Sequence, residues 1–258
     1  MEILLAKQAR NPGKRTRMEK RLGKIAERAA GLSGRLIYKR GVRFLADPEW
    51  REPYAAELAA DERPGKPQNK ALDRRFVLTQ IAESVRALEG STAECGAYLG
   101  VGSALICRAL EGTWREGATH FAFDAFEGLP EPVEADRADT GQWWTEGDLK
   151  TDSSPIEARL APFPRARIMV GWIPERFPGV AERAFRLVHI DVDLYKPTKD
   201  SIEFFWPRLV PGGVLLLDDH GVVSCPGARK AAVEFFAKTG DPIIELPTGQ
   251  AIVWKRSA

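Results

Sequence analysis

The chain has 258 residues, 44% of them hydrophobic, which is enough to bury the core of one domain of ordinary size plus an extension. Its net charge of +2 argues neither for nor against a polyanionic partner. Three cysteines are too few and too scattered for a disulfide framework or a zinc site, which favours a cytoplasmic location, and no apolar run approaches the roughly 20 residues that span a bilayer.

Positive charge is concentrated at the N-terminus, where residues 1–43 hold 13 Lys and Arg against 3 acids. Met18, Leu22, Ile25 and Ala29 recur there at helical spacing. Such a basic helix can lie on an anionic membrane or contact nucleic-acid phosphates, but aromatic residues for base stacking are nearly lacking. We therefore expect no nucleic-acid partner and a solvated arm, or one that packs on its own or a second subunit of a homo-oligomer. Weak contact with a membrane surface is left open.

Residues 47–69 are rich in Pro, Gly and charge, which predicts a linker or mobile loop. We predict that residues 1–68 form a basic extension and linker, serving as a lid or in oligomerisation, and that residues 69–258 form an α/β domain. An amphipathic helix is expected from Asn69 to Gly90.

The first βαβ unit of this domain predicts a nucleotide-like ligand. A strand from Ser91 runs into a glycine turn, and a second strand, Thr119–Asp124, ends in an acid suited to ribose hydroxyls. Glu94, before the turn, would repel a pyrophosphate but attract an ammonium, which favours S-adenosylmethionine. The predicted cofactor contacts are Glu94, Gly96, Ala97, Tyr98, Gly100, Ser103, Asp124, Phe126 and Asp191, together with Gly171 and Trp172 at the end of a third strand, Arg167–Trp172, which would border the adenine.

Two acids follow each of two later apolar runs. The run that ends at Ile190 precedes Asp191 and Asp193, and the run that ends at Leu217 precedes Asp218 and Asp219. Both runs are typical of buried parallel strands, whose carboxyl ends bind ligands in open sheets. Carboxylates about 4 Å apart repel by roughly 4 kcal/mol at an effective dielectric near 20, so either one stays protonated or a cation sits among them. We favour a cation such as Mg²⁺, which takes carboxylate oxygens as ligands. The alternative is that Asp193 and Asp219 only cap the following segments.

Two residues compete for the role of general base. Asp193 points the same way as Asp191 if the strand persists, because side chains alternate along a strand. His220 is the rival, because imidazole titrates near neutral pH. The catalytic candidates are thus Asp191, Asp193 and His220.

A long polar loop and a terminal hairpin complete the domain. The loop, Glu127–Pro155, carries Trp143 and Trp144, and its length predicts a lid or binding loop, with burial of the tryptophans against the core as the alternative. A helix over Ala228–Lys238 precedes strands Ile243–Leu246 and Ala251–Trp254. Seven strands interleaved with helices predict a Rossmann-like class I methyltransferase fold: a mostly parallel seven-stranded sheet with helices on both faces and a helical basic N-terminal extension.

Four motifs stand in a family-specific order: Asp124-Ala125-Phe126-Glu127-Gly128-Leu129-Pro130-Glu131-Pro132, His189-Ile190-Asp191-Val192-Asp193-Leu194-Tyr195, Gly212-Gly213 with Asp218-Asp219, and Gly227-Ala228-Arg229-Lys230-Ala231. From about Phe76 to Lys255 the chain resembles the macrocin and mycinamicin sugar O-methyltransferases and the related noviose O-methyltransferase of novobiocin biosynthesis.

The resemblance implies S-adenosylmethionine with Mg²⁺ and methylation of a hydroxyl on a sugar or glycosylated natural product. It assigns the metal to Asp191, Asp218 and Asp219 and the base to Asp193. His220, where the antibiotic enzymes commonly have Tyr, and the basic arm are departures that leave the acceptor open.

Three other functions compete with this one. A catechol-type O-methyltransferase commonly has Asp-Asn at the position of Asp218-Asp219. A metal-dependent glycosyltransferase would use Asp191-Val192-Asp193 for a diphosphate-sugar, which Glu94 disfavours. A non-catalytic scaffold would leave the acids at the sheet edge unexplained.

Overall fold

The computed structural model describes residues 47–59, 72–139, 141 and 143–257, and within these ranges a seven-stranded sheet forms the centre of the domain. The strands are β1 (Ser91–Cys95), β2 (His120–Asp124), β3 (Ala166–Val170), β4 (Phe185–Ile190), β5 (Leu209–Leu217), β6 (Ile244–Glu245) and β7 (Ala251–Trp254).

The sheet has the order β3-β2-β1-β4-β5-β7-β6, and strands β1 to β5 are parallel while β7 runs antiparallel to β5 and β6. The chain order reverses between β1 and β4. In open α/β sheets, the crevice at such a reversal is where ligands bind. The predicted Rossmann-like fold is confirmed.

Seven α-helices surround this sheet in the described ranges: α1 (Pro48–Arg51), α2 (Ala55–Ala59), α3 (Leu72–Ser84), α4 (Val101–Ala109), α5 (Ser154–Leu160), α6 (Tyr195–Phe205) and α7 (Pro226–Thr239). Short 3₁₀ turns cover Glu52–Tyr54, Glu134–Asp136, Phe177–Val180 and Trp206–Arg208.

Alternate residues of the central strands point to opposite faces of the sheet, and both faces are buried. Leu215 and Leu217 of β5 join the core cluster that contains Phe205 of α6 and Phe236 of α7. Val214 and Leu216 of the same strand join the cluster that contains Leu78 of α3 and Leu105 of α4. Burial on both faces explains why these strands read as continuous apolar runs rather than as alternating ones.

The prediction of a linker is wrong for residues 47–59, which form α1, a 3₁₀ turn and α2. Asp47 caps α1 by accepting from the backbone N–H of Glu49, and Trp50, Tyr54 and Leu58 are buried. Proline and charged residues suggested a loop there, but Pro48 stands in the first turn of a helix, where its missing N–H costs nothing.

Two elements end earlier in the chain than predicted. Helix α3 ends at Ser84 and gives way to turns, with Val85 N–H donating to the Ala82 carbonyl, so Gly90 is not its stop. Strand β3 ends at Val170, because Gly171 takes a φ of +129°.

The predicted basic helix within residues 1–43 and the boundary at 68/69 lie outside the described residues, and these remain predictions. In the part of the chain that the structure describes, no helix is both long and apolar enough to cross a bilayer.

We predict that Trp50→Ala lowers the free energy of unfolding by about 3–5 kcal/mol, the range for truncating a buried tryptophan. The indole packs edge-on against Phe76 at 5.2 Å, and its Nε1–H donates to Oγ1 of Thr79 at 2.9 Å. Urea denaturation measures the loss. The control, exposed Arg51→Ala, should change stability by no more than about 0.5 kcal/mol. Equal stabilities for the two variants would show that α1 does not belong to the domain core.

Candidate active site

A cleft of about 300 Å³ opens at the carboxyl edge of the parallel strands. It lies beside the point where the strand order reverses, and its lining comes from the ends of β1, β2, β3 and β4 and from the loop after β2. Of the predicted site residues, the cleft is lined by Gly96, Tyr98, Asp124, Gly171, Trp172, Asp191 and Asp193.

The glycine turn after β1 brings its backbone against the end of β4. Gly96 has a φ of +82°, and a Cβ there would lie 1.9 Å from the backbone oxygen of Asp191, so no larger residue fits. The turn also fixes Asp124, whose two carboxylate oxygens accept the backbone N–H groups of Tyr98 and Phe126, each at 2.7 Å. Burial raises the pKa of Asp124 while these two bonds lower it.

The other predicted cofactor residues near the glycine turn pack against the protein interior and do not line this cleft. Ala97 and Phe126 are buried in the core, and Gly100 packs against Ile156. Ser103 donates its hydroxyl to Glu94, and a Cβ at the neighbouring Gly102 would collide with the same carboxylate.

Glu94 belongs to a buried chain of polar groups instead of facing the cleft. One carboxylate oxygen accepts from Ser103, and the other lies 2.9 Å from Nδ1 of His189. Nε2 of His189 lies 3.2 Å from Oδ1 of Asp218. Glu94 is thus linked through His189 to the acids that follow β5, which the sequence did not indicate.

Three of the predicted acids converge on a single nitrogen atom. Nη2 of Arg74, in the first turn of α3, lies 3.2 Å from Oδ1 of Asp219 and 3.8 Å from Oδ1 of Asp191, and it contacts Oδ2 of Asp218 directly. The backbone oxygen of Asp218 lies 3.0 Å from the same nitrogen. We call Asp191, Asp218 and Asp219 the carboxylate cage.

Protein donors hold the two buried acids of the cage by their other oxygens. Oδ1 of Asp218 accepts from Nε2 of Gln250 at 2.6 Å and lies beside His189. Oδ2 of Asp219 accepts from the backbone N–H of Asp193 at 3.0 Å. Each acid is thereby turned so that its remaining oxygen faces the Arg74 position, an arrangement by which outer groups commonly orient metal ligands.

The donor set around this position fits a hard divalent cation, because Mg²⁺ takes oxygen ligands from a few carboxylates and completes its shell with water or substrate oxygens. Within the described residues, two groups of side chains have ligand atoms within 4.8 Å of one another: His189, Asp191 and Asp218, and Asp193, Asp219 and Cys225. The predicted ligands therefore fall in two adjoining groups.

The backbone conformation that places Asp193 in the cleft differs from the predicted one. Strand β4 ends at Ile190, and Asp193 has a φ of +58°, so the expectation that it continues the alternation of Asp191 is wrong. Its carboxylate lies 3.4 Å from Sγ of Cys225. Burial, followed by the charges of Asp219 and Asp191, raises the pKa of Asp193 well above its ordinary value.

His220 lies apart from these groups. It is buried and does not line the cleft, and its Nε2 is 3.4 Å from Oε1 of Glu245 on β6. Burial is the main cause that lowers the pKa of His220, and the charge of Arg229 lowers it further. The geometry therefore favours Asp193 over His220 as the group that faces a substrate.

The loop after β2 borders the cleft, but its tryptophans do not. Leu129, Pro130 and Val133 line the cleft, whereas Trp143 is 41% exposed and Trp144 donates its Nε1–H to the Ser224 carbonyl at 3.0 Å. A buried acid, Asp136, ties the loop to α6 by accepting the N–H of Tyr195 at 2.6 Å. The long loop is thus a wall of the cleft that is anchored to the domain.

Comparison with known proteins shows the family of the chain. The model of the macrocin-O-methyltransferase (TylF) family matches residues 70–256. The chain is 29% identical over 192 residues, 70% of each chain, to the 8-demethyl-8-(2,3-dimethoxy-alpha-L-rhamnosyl)-tetracenomycin-C 4'-O-methyltransferase of Streptomyces olivaceus. It is 27% identical over 175 residues, 57% of this chain and 67% of its relative, to the mycinamicin III 3''-O-methyltransferase of Micromonospora griseorubida.

Among solved structures, the O-methyltransferase NovP is similar in fold, with a TM-score of 0.64 at 21% identity over 80% of this chain and 88% of NovP. The family match covers well over half of the chain and confirms the resemblance carried by the four motifs, which sets aside the glycosyltransferase and scaffold alternatives. The chain belongs to the macrocin O-methyltransferase family and is an O-methyltransferase.

Proposed function

We propose that this enzyme moves a methyl group from S-adenosylmethionine to a hydroxyl of a sugar or glycosylated natural product, with a divalent cation such as Mg²⁺ in the carboxylate cage. The observation that carries the proposal is the convergence of Asp191, Asp218 and Asp219 beside a cleft that also contains the glycine turn and Asp124. One relative is named for a rhamnosyl-bearing tetracenomycin and the other for mycinamicin III, which supports a natural-product acceptor here.

The cofactor is proposed to lie against the glycine turn, because Gly96, Tyr98 and Asp124 line the same cleft. Asp124 presents a fixed carboxylate for ribose hydroxyls, since backbone N–H groups hold its orientation. Gly171 and Trp172 would border the adenine. Glu94 would act on the amino group only indirectly, because its oxygens already have protein partners.

The proposed chemistry breaks the bond between sulfur and the methyl carbon, forms a bond from that carbon to the acceptor oxygen, and releases the hydroxyl proton. Asp193 is the proposed acceptor of the proton, because it lines the cleft. A divalent cation in the cage would lower the pKa of an acceptor hydroxyl and orient it. The loop wall after β2 would hold the acceptor in line with the methyl group.

The proposal includes a cytoplasmic enzyme that assembles as a homo-oligomer. The three cysteines are free and buried, which supports a reducing compartment.

The reaction class is tested by incubating the purified chain with S-adenosylmethionine, Mg²⁺ and a panel of glycosides that includes mycinamicin III. We expect a sugar-bearing compound to gain one methyl group, detected by mass spectrometry. Catechol is the control for the aromatic alternative, and methylation of catechol without that of any glycoside would contradict the sugar assignment.

Asp124→Ala should weaken S-adenosylmethionine binding by roughly tenfold to a hundredfold, because hydrogen bonds to a charged group contribute about 1.5–3 kcal/mol. Isothermal titration calorimetry measures the affinity, and circular dichroism checks the fold. Exposed Glu182→Gln serves as the control with unchanged binding. Unchanged affinity in Asp124→Ala would remove the ribose role of this acid.

Asp218→Asn should lower Mn²⁺ affinity by at least about a hundredfold, because a cage carboxylate becomes a neutral amide of the same size. Electron paramagnetic resonance of free Mn²⁺ measures the binding. Exposed Glu116→Gln should bind Mn²⁺ as the native protein does. Native-like affinity in Asp218→Asn would place the metal elsewhere.

Asp193→Asn should reduce kcat by about a hundredfold or more while S-adenosylmethionine affinity stays unchanged, since a general base contributes about 10²–10⁴ to the rate. The matched control is Asp200→Asn, because Asp200 also lines the cleft but is paired with Lys196 at 2.6 Å. Steady-state kinetics with the glycoside found in the panel separates kcat from KM. A kcat in Asp193→Asn near that of the control would remove Asp193 as the base.

A further inference from the structure

The Nη2 atom of Arg74 lies among the oxygens of the carboxylate cage. Four oxygen atoms from three acids lie within 3.8 Å of its Nη2. A guanidinium Nη atom carries only two hydrogens, so the position offers more acceptors than this group can satisfy. A divalent cation takes six or more oxygens.

The guanidinium of Arg74 makes no bidentate hydrogen bond with any one acid of the cage. An arginine that is built to bind a carboxylate commonly donates from two nitrogens in parallel. The hydrogen bonds of Arg74 to the cage come from Nη2, and its Nε is buried without a hydrogen-bond partner among the described residues. Arg74 thus neutralises the acids as a point charge.

The cage has supports that do not depend on Arg74. Asp218 is held by Gln250 and His189, and Asp219 by the backbone of the segment after β4. Asp191 follows directly after β4. Withdrawal of the guanidinium would therefore leave Asp218 and Asp219 oriented by other groups and Asp191 positioned by the end of β4. The side chain of Arg74 is 25% exposed.

We propose that Arg74 is a displaceable counter-ion: its guanidinium holds the cation position of the metal-free protein and leaves it when a divalent cation enters the cage. The inference rests on the proposed metal site and assigns a role to a residue on α3, far from the acids in sequence. The guanidinium and the metal compete for one position. The metal therefore binds only the molecules in which Arg74 has left the cage, and the apparent metal affinity falls in proportion to that fraction.

Mn²⁺ titrations followed by electron paramagnetic resonance test the competition in native protein, Arg74→Met and the control Arg51→Met. Methionine keeps an apolar stem and removes the charge. We expect Arg74→Met to bind Mn²⁺ at least about tenfold more tightly than native protein, or about 1.4 kcal/mol. Arg51→Met, altered at an exposed position, should bind as the native protein does.

Native crystals soaked in Mn²⁺ provide a second test that needs no variant. We expect anomalous density between Asp191, Asp218 and Asp219, with the Arg74 guanidinium moved out of the cage. Metal in the cage with Arg74 still on Asp218 would overturn the inference, even if Arg74→Met binds more tightly, because charge alone would then explain the gain.

The outcomes also separate the inference from the proposed function. Equal and measurable Mn²⁺ affinities of native protein and Arg74→Met would overturn the displacement of Arg74 and leave the metal site intact. Absence of Mn²⁺ binding in both proteins would overturn the metal site itself, and Arg74 would then be a permanent counter-ion.

Discussion

The crowding of acidic side chains at one edge of the sheet is the constraint on which the rest of the site depends. Burial, followed by the charges of Asp219 and Asp191, raises the pKa of Asp193. Burial followed by the charge of Asp191 raises the pKa of Asp219 to about 6, even though Arg74 lowers it. Carboxyl groups gathered in this way either keep a proton or need a cation among their oxygens. The guanidinium of Arg74 supplies that charge in the structure.

The acids are crowded because they follow neighbouring strands of the sheet. Strands β4 and β5 are parallel neighbours, and Ile190 pairs with Leu217, so the acids that follow each strand emerge side by side. Strand β1, on the other side of β4, places the glycine turn against Asp191. One topological feature, the reversal of strand order at β1 and β4, thus brings together the cofactor side and the acidic side of the cleft.

Local patterns predicted the sheet, the glycine turn and the acids, because each depends on a few consecutive residues. The contacts that define the site were not predictable in this way. Arg74 and Gln250 come from opposite ends of the domain, and nothing in their neighbouring residues indicates that they meet at Asp218. The expectation that Asp193 points the same way as Asp191 depends on strand alternation, which fails because the strand ends at Ile190 and Asp193 has a positive φ.

The proposed divalent cation in the carboxylate cage is expected to be required for methyl transfer. Dialysis against EDTA, followed by assay with labelled S-adenosylmethionine and a methylatable glycoside, measures this most directly when Mg²⁺ is then added back. The expected result is no transfer by the metal-free enzyme and full recovery on addition of Mg²⁺. Undiminished transfer in EDTA would contradict it, leaving Arg74 as the lasting counter-ion of the acids.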